Sequence, residues 1–283
     1  LVSTARAERV TLPTGETLEV EILEATEKGF KAKHVVLGEI EIPRDGVTIV
    51  NAENQPIEPP PPPPPPSPWT FAFALGGGAN AGNTETANVN AIFTANYQAG
   101  NTRFAYDAGY FYGSDGDTTT ENRLTTGAIV EFDIEPTNWF WGASTRFDYD
   151  EFQSWRYRVT GHGFIGYHIL REDPFTLDGR LGLGFLKEFE SVNDDWQLEG
   201  LVGLGGTWKL AENSTIVWNT TYYPSITNSP EYRWDANIGW TTAIDMKNRI
   251  NFLILFSWEY QSQIAEDRKH NDFRLSFNIQ TQW

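Results

Sequence analysis

From Trp69 to Trp283 apolar and polar residues alternate with a period of two. In the closing stretch NDFRLSFNIQTQW, Phe273, Leu275, Phe277 and Ile279 interleave with Arg274, Ser276, Asn278 and Gln280. Trp283 ends the run. Val89, Ala91, Phe93, Ala95 and Tyr97 form another such set, as do Phe252, Ile254, Phe256, Trp258 and Tyr260. Trp139, Trp141, Ala143 and Phe147 form a fourth. A period of two marks a β-strand, because successive side chains point to opposite faces. The pattern repeats over about twelve strands, and in each the apolar parity is nearly free of charge over its middle. A soluble sandwich turns a charged parity outward, and an uncharged aromatic band on its surface would aggregate. The pattern therefore predicts an all-β fold over residues 69–283, a twelve-stranded antiparallel transmembrane β-barrel with aromatic girdles.

The connections follow an order of their own. QAGNT, EPTN, REDP, AENS and DMKN are short, and they alternate with GSDGDTTT, DEFQS, ESVNDD, PSITNSP and QSQIAEDRKH. Short turns on one side and long loops on the other are the outer-membrane arrangement. An even strand count puts both ends of the barrel on the short-turn side, which is periplasmic in such proteins. The expected location is the bacterial outer membrane, with outer-membrane lipid around the barrel and everything before Trp69 in the periplasm.

Eight consecutive prolines occupy residues 59–66, followed by Ser67 and Pro68. Proline has no N–H and a fixed φ, so this stretch joins neither sheet nor helix. Residues 59–68 read as a polyproline linker spanning roughly 25–30 Å. Before it, residues 1–58 hold a second alternating region: Val10 and Leu12, then Leu18, Val20 and Ile22, then FKAKHVVLG, EIEIP and VTIV. Turn signals at Thr14-Gly15, Lys28-Gly29, Gly38 and Asp45-Gly46 separate five short strands, which predicts a small open-barrel-like β domain.

Composition narrows the function classes. The net charge is -17, and both sides of the proline run are acidic, so nucleic acid is not an expected partner. There are no cysteines, which removes disulfides, thiolate nucleophiles and Cys-ligated metals. No signal peptide is visible in LVSTARAERV, and the sequence reads as a mature form. Acidic residues of the long connections, Asp115, Asp117, Asp148, Asp150, Glu188, Glu190, Asp194, Asp195, Glu266 and Asp267, lack the spacing of a Ca²⁺ loop and read as a solvated outer rim. No metal and no cofactor is expected.

Three resemblances add to this reading. The last strand, with Phe273, Leu275, Phe277, Ile279 and Trp283, resembles the insertion signal of bacterial outer-membrane proteins. That resemblance implies recognition by the barrel assembly machinery. GANAGNTETANVNAIFTANY, residues 78–97, with Asn122-Arg123-Leu124 further on, resembles the salt-induced outer-membrane protein family, a β-barrel group of unassigned function. It supports fold and location and transfers no catalytic residue. Residues 8–50 resemble an Sm-like or SH3-like barrel without the RNA-contacting residues. If that likeness holds, it implies ring-like self-association, with six or seven copies favoured; the alternative is a lone packing module.

The polar parity gives the candidate lumen. Its cations are Arg103, Arg123, Arg146, Arg156, Arg158, Arg180, Arg233 and Arg274. Its anions are Asp107, Glu131, Asp133, Asp148, Asp178, Glu199, Asp235 and Glu259, and His162 and His168 point the same way. These groups either pair across a narrow bore or line a polar channel. The two histidines share one strand with no serine motif near them, so no enzyme activity is expected. The reading is a structural, self-associating envelope protein that forms homo-oligomers through residues 1–58; the alternative is a narrow passive channel for small polar solutes. His34 and His270 are assigned no role.

Overall fold

The computed structural model describes residues 8–26, 28–51, 55–58, 61–63, 66–80, 86–191, 194–264 and 269–283. Part of the GNTET motif, Gly82 to Glu85, and Glu266 and Asp267 of the acidic rim lie outside the described residues. The chain divides into two units, Leu1–Ser67 and Pro68–Trp283.

The first unit is one antiparallel sheet. Its strands are β1 (Glu8–Thr11), β2 (Thr17–Ala25), β3 (Gly29–His34), β4 (Gly38–Pro43), β5 (Thr48–Val50) and the two-residue β6 (Pro56–Ile57). They lie in the order β4-β3-β2-β1-β5-β6. The first five are the strands the sequence predicts; β6 extends the edge beyond β5 through Ile49↔Ile57 and Val50↔Pro56. Alternation puts Val10, Val20, Phe30, Ala32, Ile42 and Ile49 into one buried cluster. Gly15, Gly38 and Gly46 turn the chain at φ values of +88°, +75° and +74°, a region side chains disfavour. So small a core rests heavily on its one aromatic residue. Phe30→Ala is expected to destabilise this unit by about 3–5 kcal/mol. Hydrogen exchange on the full-length protein checks this: amides of β1 to β5 lose protection while those of the barrel keep theirs.

The strand expected over FKAKHVVLG ends early, at His34. His34 Nδ1 accepts the N–H groups of Val36 at 3.2 Å and Leu37 at 3.1 Å, and this local acceptor replaces the ladder. Val35 and Val36 therefore sit on a turn, 95% and 83% exposed.

The second unit is a closed barrel of twelve antiparallel strands. The strands are β7 (Trp69–Asn80), β8 (Thr86–Ala99), β9 (Thr102–Asp115), β10 (Thr118–Asp133), β11 (Trp139–Asp150) and β12 (Tyr157–Glu172). They continue as β13 (Phe175–Phe189), β14 (Gln197–Ala211), β15 (Ser214–Pro224), β16 (Tyr232–Asp245), β17 (Ile250–Gln261) and β18 (Asn271–Gln282). Each pairs with its sequence neighbours, and β18 closes on β7 from Asn278↔Gly76 to Gln282↔Ala72. The final residue belongs to this seam. Phe71 N–H donates to the Trp283 carbonyl at 2.8 Å, Trp283 N–H donates to Phe71 at 2.9 Å, and the two rings stack.

The outward parity is the apolar one. Trp139, Trp141, Ile165, Leu181, Leu183, Leu275, Phe277 and Ile279 are all more than a third exposed and form a band that only lipid would cover favourably. One connection differs from expectation. GSDGDTTT is not a long loop: β9 and β10 run through it and meet at Gly116-Asp117, where Gly116 takes φ +55°. A two-residue hairpin needs such left-handed residues, and glycine supplies one at no steric cost.

Candidate functional site

Inward-facing side chains build the interior in three levels. At the long-loop end, Arg158 is 3% exposed and joins two walls. Its Nη2 is 2.7 Å from Glu188 on the adjacent β13, and its Nη1 is 2.8 Å from Glu259 on β17, five strands away. Its guanidinium lies over the Trp155 ring at 4.1 Å. Arg233 donates to Asp235 at 2.9 Å and to Glu199 at 3.2 Å, and covers Tyr223 at 4.1 Å. His162 Nε2 meets the same Glu199 at 2.8 Å. Arg146 holds Asp148 at 3.1 Å and bonds to Thr125, and Asp107 and Arg146 both flank Gly127. Arg123 lies 3.9 Å from both Asp148 and Glu259. Arg274 donates to Glu121 at 2.8 Å, reaching from β18 to β10, and lies over Phe111.

Towards the short-turn end a second ionic level appears. Glu131 takes Arg103 at 3.1 Å on one oxygen and Arg180 at 2.8 Å on the other. His168 bridges Asp178 at 2.6 Å and Asp133 at 3.1 Å, and Asp133 also holds Arg103 and Arg171. Between the levels lies an apolar plug of Phe140, Phe164 and Leu201, with Ile129 and Tyr223 against it. Phe140 is fully buried, with Arg103 and Arg180 over its ring at 5.2 and 5.5 Å. Asn90 and Asn278 bond to each other inside the β7–β18 seam region.

Glycines make room for the plug. Gly166 pairs across the ladder with Phe140, and Gly142 and Gly182 both pair with Phe164. A Cβ at any of the three would strike the facing phenylalanine. This is the signal the sequence did carry for the plug: an aromatic residue at an inward position with glycine directly opposite. Phe140, Phe164, Leu201 and the inward-facing Glu121 were not among the predicted lumen residues.

The predicted set is otherwise brought together as described, with one exception. Arg156 precedes β12, stands over the outward-facing Tyr149 at 5.7 Å and lies 4.0 Å from Glu190, so it belongs to the outer wall. The strand's inward parity does not extend past the irregular segment before Tyr157. Asp148, Asp150 and Glu188, read as part of the solvated rim, instead face the interior; the first two are buried.

Cavities remain at both ends. One of about 380 Å³ opens at the long-loop end beside Arg158, Glu199, Tyr223 and Arg233. One of about 260 Å³ lies at the short-turn end beside Thr70, Asn96, Arg103 and Glu131. Within the upper level, Arg123 Nε, Arg233 Nε and Asp235 Oδ1 are buried without a hydrogen-bond partner among the described residues. A space of about 70 Å³ that all three residues line is large enough for water.

A family described as "Protein of unknown function, DUF481" matches residues 73–283. No curated protein matches. Similar solved structures include an outer membrane channel from Pseudomonas putida F1, at 9% identity and a TM-score of 0.44 over 77% of this chain and 96% of that one. The translocator domain of the autotransporter NalP from Neisseria meningitidis is 16% identical, with a TM-score of 0.38 over 76% and 87%. The outer membrane channel DcaP of Acinetobacter baumannii is 10% identical, with a TM-score of 0.35 over 98% and 81%. Nothing about activity follows from likeness at this level.

Proposed function

The chain belongs to the DUF481 family, proteins of unknown function, and from that premise we propose a structural, non-catalytic role as an outer-membrane β-barrel that self-associates through a periplasmic N-terminal domain. The observation that carries the structural reading is the filled bore. Arg158 reaches Glu259 five strands away, and the aromatic plug lies between this level and the Glu131 level. Charges held this way are mostly paired within the wall and leave little for a passing solute. The outward apolar band supports placement in a bilayer, and the sequence of turns and loops supports the outer membrane. The chain enters the barrel at its short-turn end, which supports the reading of residues 1–58 as periplasmic.

Self-association is supported by the sheet of the first unit. It ends on β4, an edge strand of six residues that pairs on one side only, with β3, among the described residues. An open edge is a template for pairing with a second chain. The test is the mass of full-length protein in mild detergent, beside a chain beginning at Trp69. The expected result is an oligomer for the first and a monomer for the second. A monomer in both cases sinks the self-association reading.

A second reading, a narrow passive channel for small polar solutes, is favoured by the cavities of about 380 and 260 Å³ at the two ends. Single-channel conductance of the unmodified protein separates the two: the structural reading expects no resolved steps.

A further inference from the structure

On β13 the outward positions read Phe175, Leu177, Gly179, Leu181, Leu183, Phe185, Lys187 and Phe189. Lys187 is the one charge in that apolar row. A lysine on the lipid face costs about 2–4 kcal/mol at the bilayer midplane and close to nothing near the interface. Lys187 stands two residues from the end of its strand, so it belongs to the interface at the long-loop end. Its ammonium is held 5.2 Å from the Phe189 ring and 5.4 Å from the Trp196 ring, and Trp196 packs edge-on against Phe185. The ion pairs of this corner involve other residues, Arg158 with Glu188 and Arg156 with Glu190. Among the described residues Lys187 has aromatic faces around it and no carboxylate partner.

A second cation stands beside it on the same wall. Arg156 N–H donates to the Phe189 carbonyl at 3.0 Å, and its guanidinium lies over Tyr149. Its nearest carboxylate, Glu190, is exposed and at the 4.0 Å limit of an ion pair. The register places Tyr157 opposite Phe189 and Val159 opposite Lys187. Residue 156 therefore lies about three residues, roughly 10 Å, beyond residue 187 along the neighbouring strand, with Arg156 resting over Tyr149 on one side and Lys187 over Trp196 on the other. Both are oriented by rings at the level where headgroups begin.

We propose that Lys187 and Arg156 form a binding site for the anionic phosphate headgroup of a membrane lipid in the leaflet at the long-loop end. The aromatic rings would contact the upper acyl chains, and the two cations would supply charge-assisted hydrogen bonds to the phosphate oxygens. The occupant is chosen by charge complementarity: Lys187 has no carboxylate partner among the described residues, and Arg156 has only the exposed Glu190 at 4.0 Å. A lysine that only reaches for water would show no preference among lipids. The inference rests on the membrane placement proposed above.

The test uses full-length protein in nanodiscs made from phosphatidylglycerol and phosphatidylcholine in equal amounts. Native mass spectrometry then reads the lipid that stays bound on release. The expected result is several-fold enrichment of phosphatidylglycerol on the unmodified protein, lost in Lys187→Gln/Arg156→Gln and kept in Lys187→Arg. On the unmodified protein, high salt should strip the retained phosphatidylglycerol, a readout that needs no variant. Equal retention of both lipids, or the same enrichment in the double variant, overturns the site. Failure to enter the bilayer at all overturns the membrane placement instead, and the site with it.

Discussion

Replacing Arg158 by alanine is expected to destabilise the barrel by about 3–5 kcal/mol, the range for removing one partner of a buried ion pair. Arg158 is 3% exposed, so solvent does little to screen the groups it leaves behind. Those groups are Glu188 and Glu259, which face it from the adjacent strand and from the far wall. Glu259 would keep Arg123 at 3.9 Å and an amide bond from Gln261, while Glu188 would lose both of its bonds to Arg158. The Trp155 ring would lose its cation as well. Urea unfolding followed by tryptophan fluorescence, in vesicles, reads the loss. A double change, Arg158→Met with Glu188→Gln, should recover most of it, because one cation and one anion leave together and Glu259 keeps Arg123. A shift below about 0.5 kcal/mol in Arg158→Ala, the scale of an ordinary surface substitution, would show that the pair is not a structural tie.

The strand pattern makes most of the barrel legible in the sequence. A period of two is a local property, and each strand carries enough residues to show it, as Val89 to Tyr97 and Phe252 to Tyr260 do. The last strand was legible too, since Trp283 continues its alternation; its bonds to Phe71 across the seam come from the closed barrel. Two kinds of feature were not. The first depends on a single side chain competing with the ladder, as His34 does when it ends β3 before Val35. The second depends on which residues meet across the bore. Parity shows that Arg158 and Glu259 both face inward, but only closure of the barrel brings residues 101 positions apart to 2.8 Å. Arg156 shows the limit of parity itself: it precedes Tyr157, outside the strand, where alternation no longer fixes a face. Phe140 was hidden for the opposite reason. It sits at an inward position between Trp139 and Trp141, so its apolar character reads as part of the outer band until Gly166 is found opposite.

The plug and the upper ionic level act in series, and this leads to the largest expected change in function. A path with two constrictions conducts no better than the narrower one. Phe140→Ala alone would empty the space between Arg103, Arg180 and His168, yet leave the Arg158 level intact. Arg158→Ala alone would open the upper level and leave the plug of Phe140, Phe164 and Leu201 in place. Neither single variant is therefore expected to show resolved steps in a planar bilayer. The combined variant is expected to conduct, with the cavities at the two ends joined through the emptied middle. Samples are compared only after each is shown to run as a folded, heat-modifiable barrel, which separates a leak from misfolding. Steady conductance in the unmodified protein would favour the channel reading and remove the filled bore as an argument for a structural role. Full conductance in Phe140→Ala alone would show that the ionic level is permeable, and that the aromatic plug by itself holds the barrel shut.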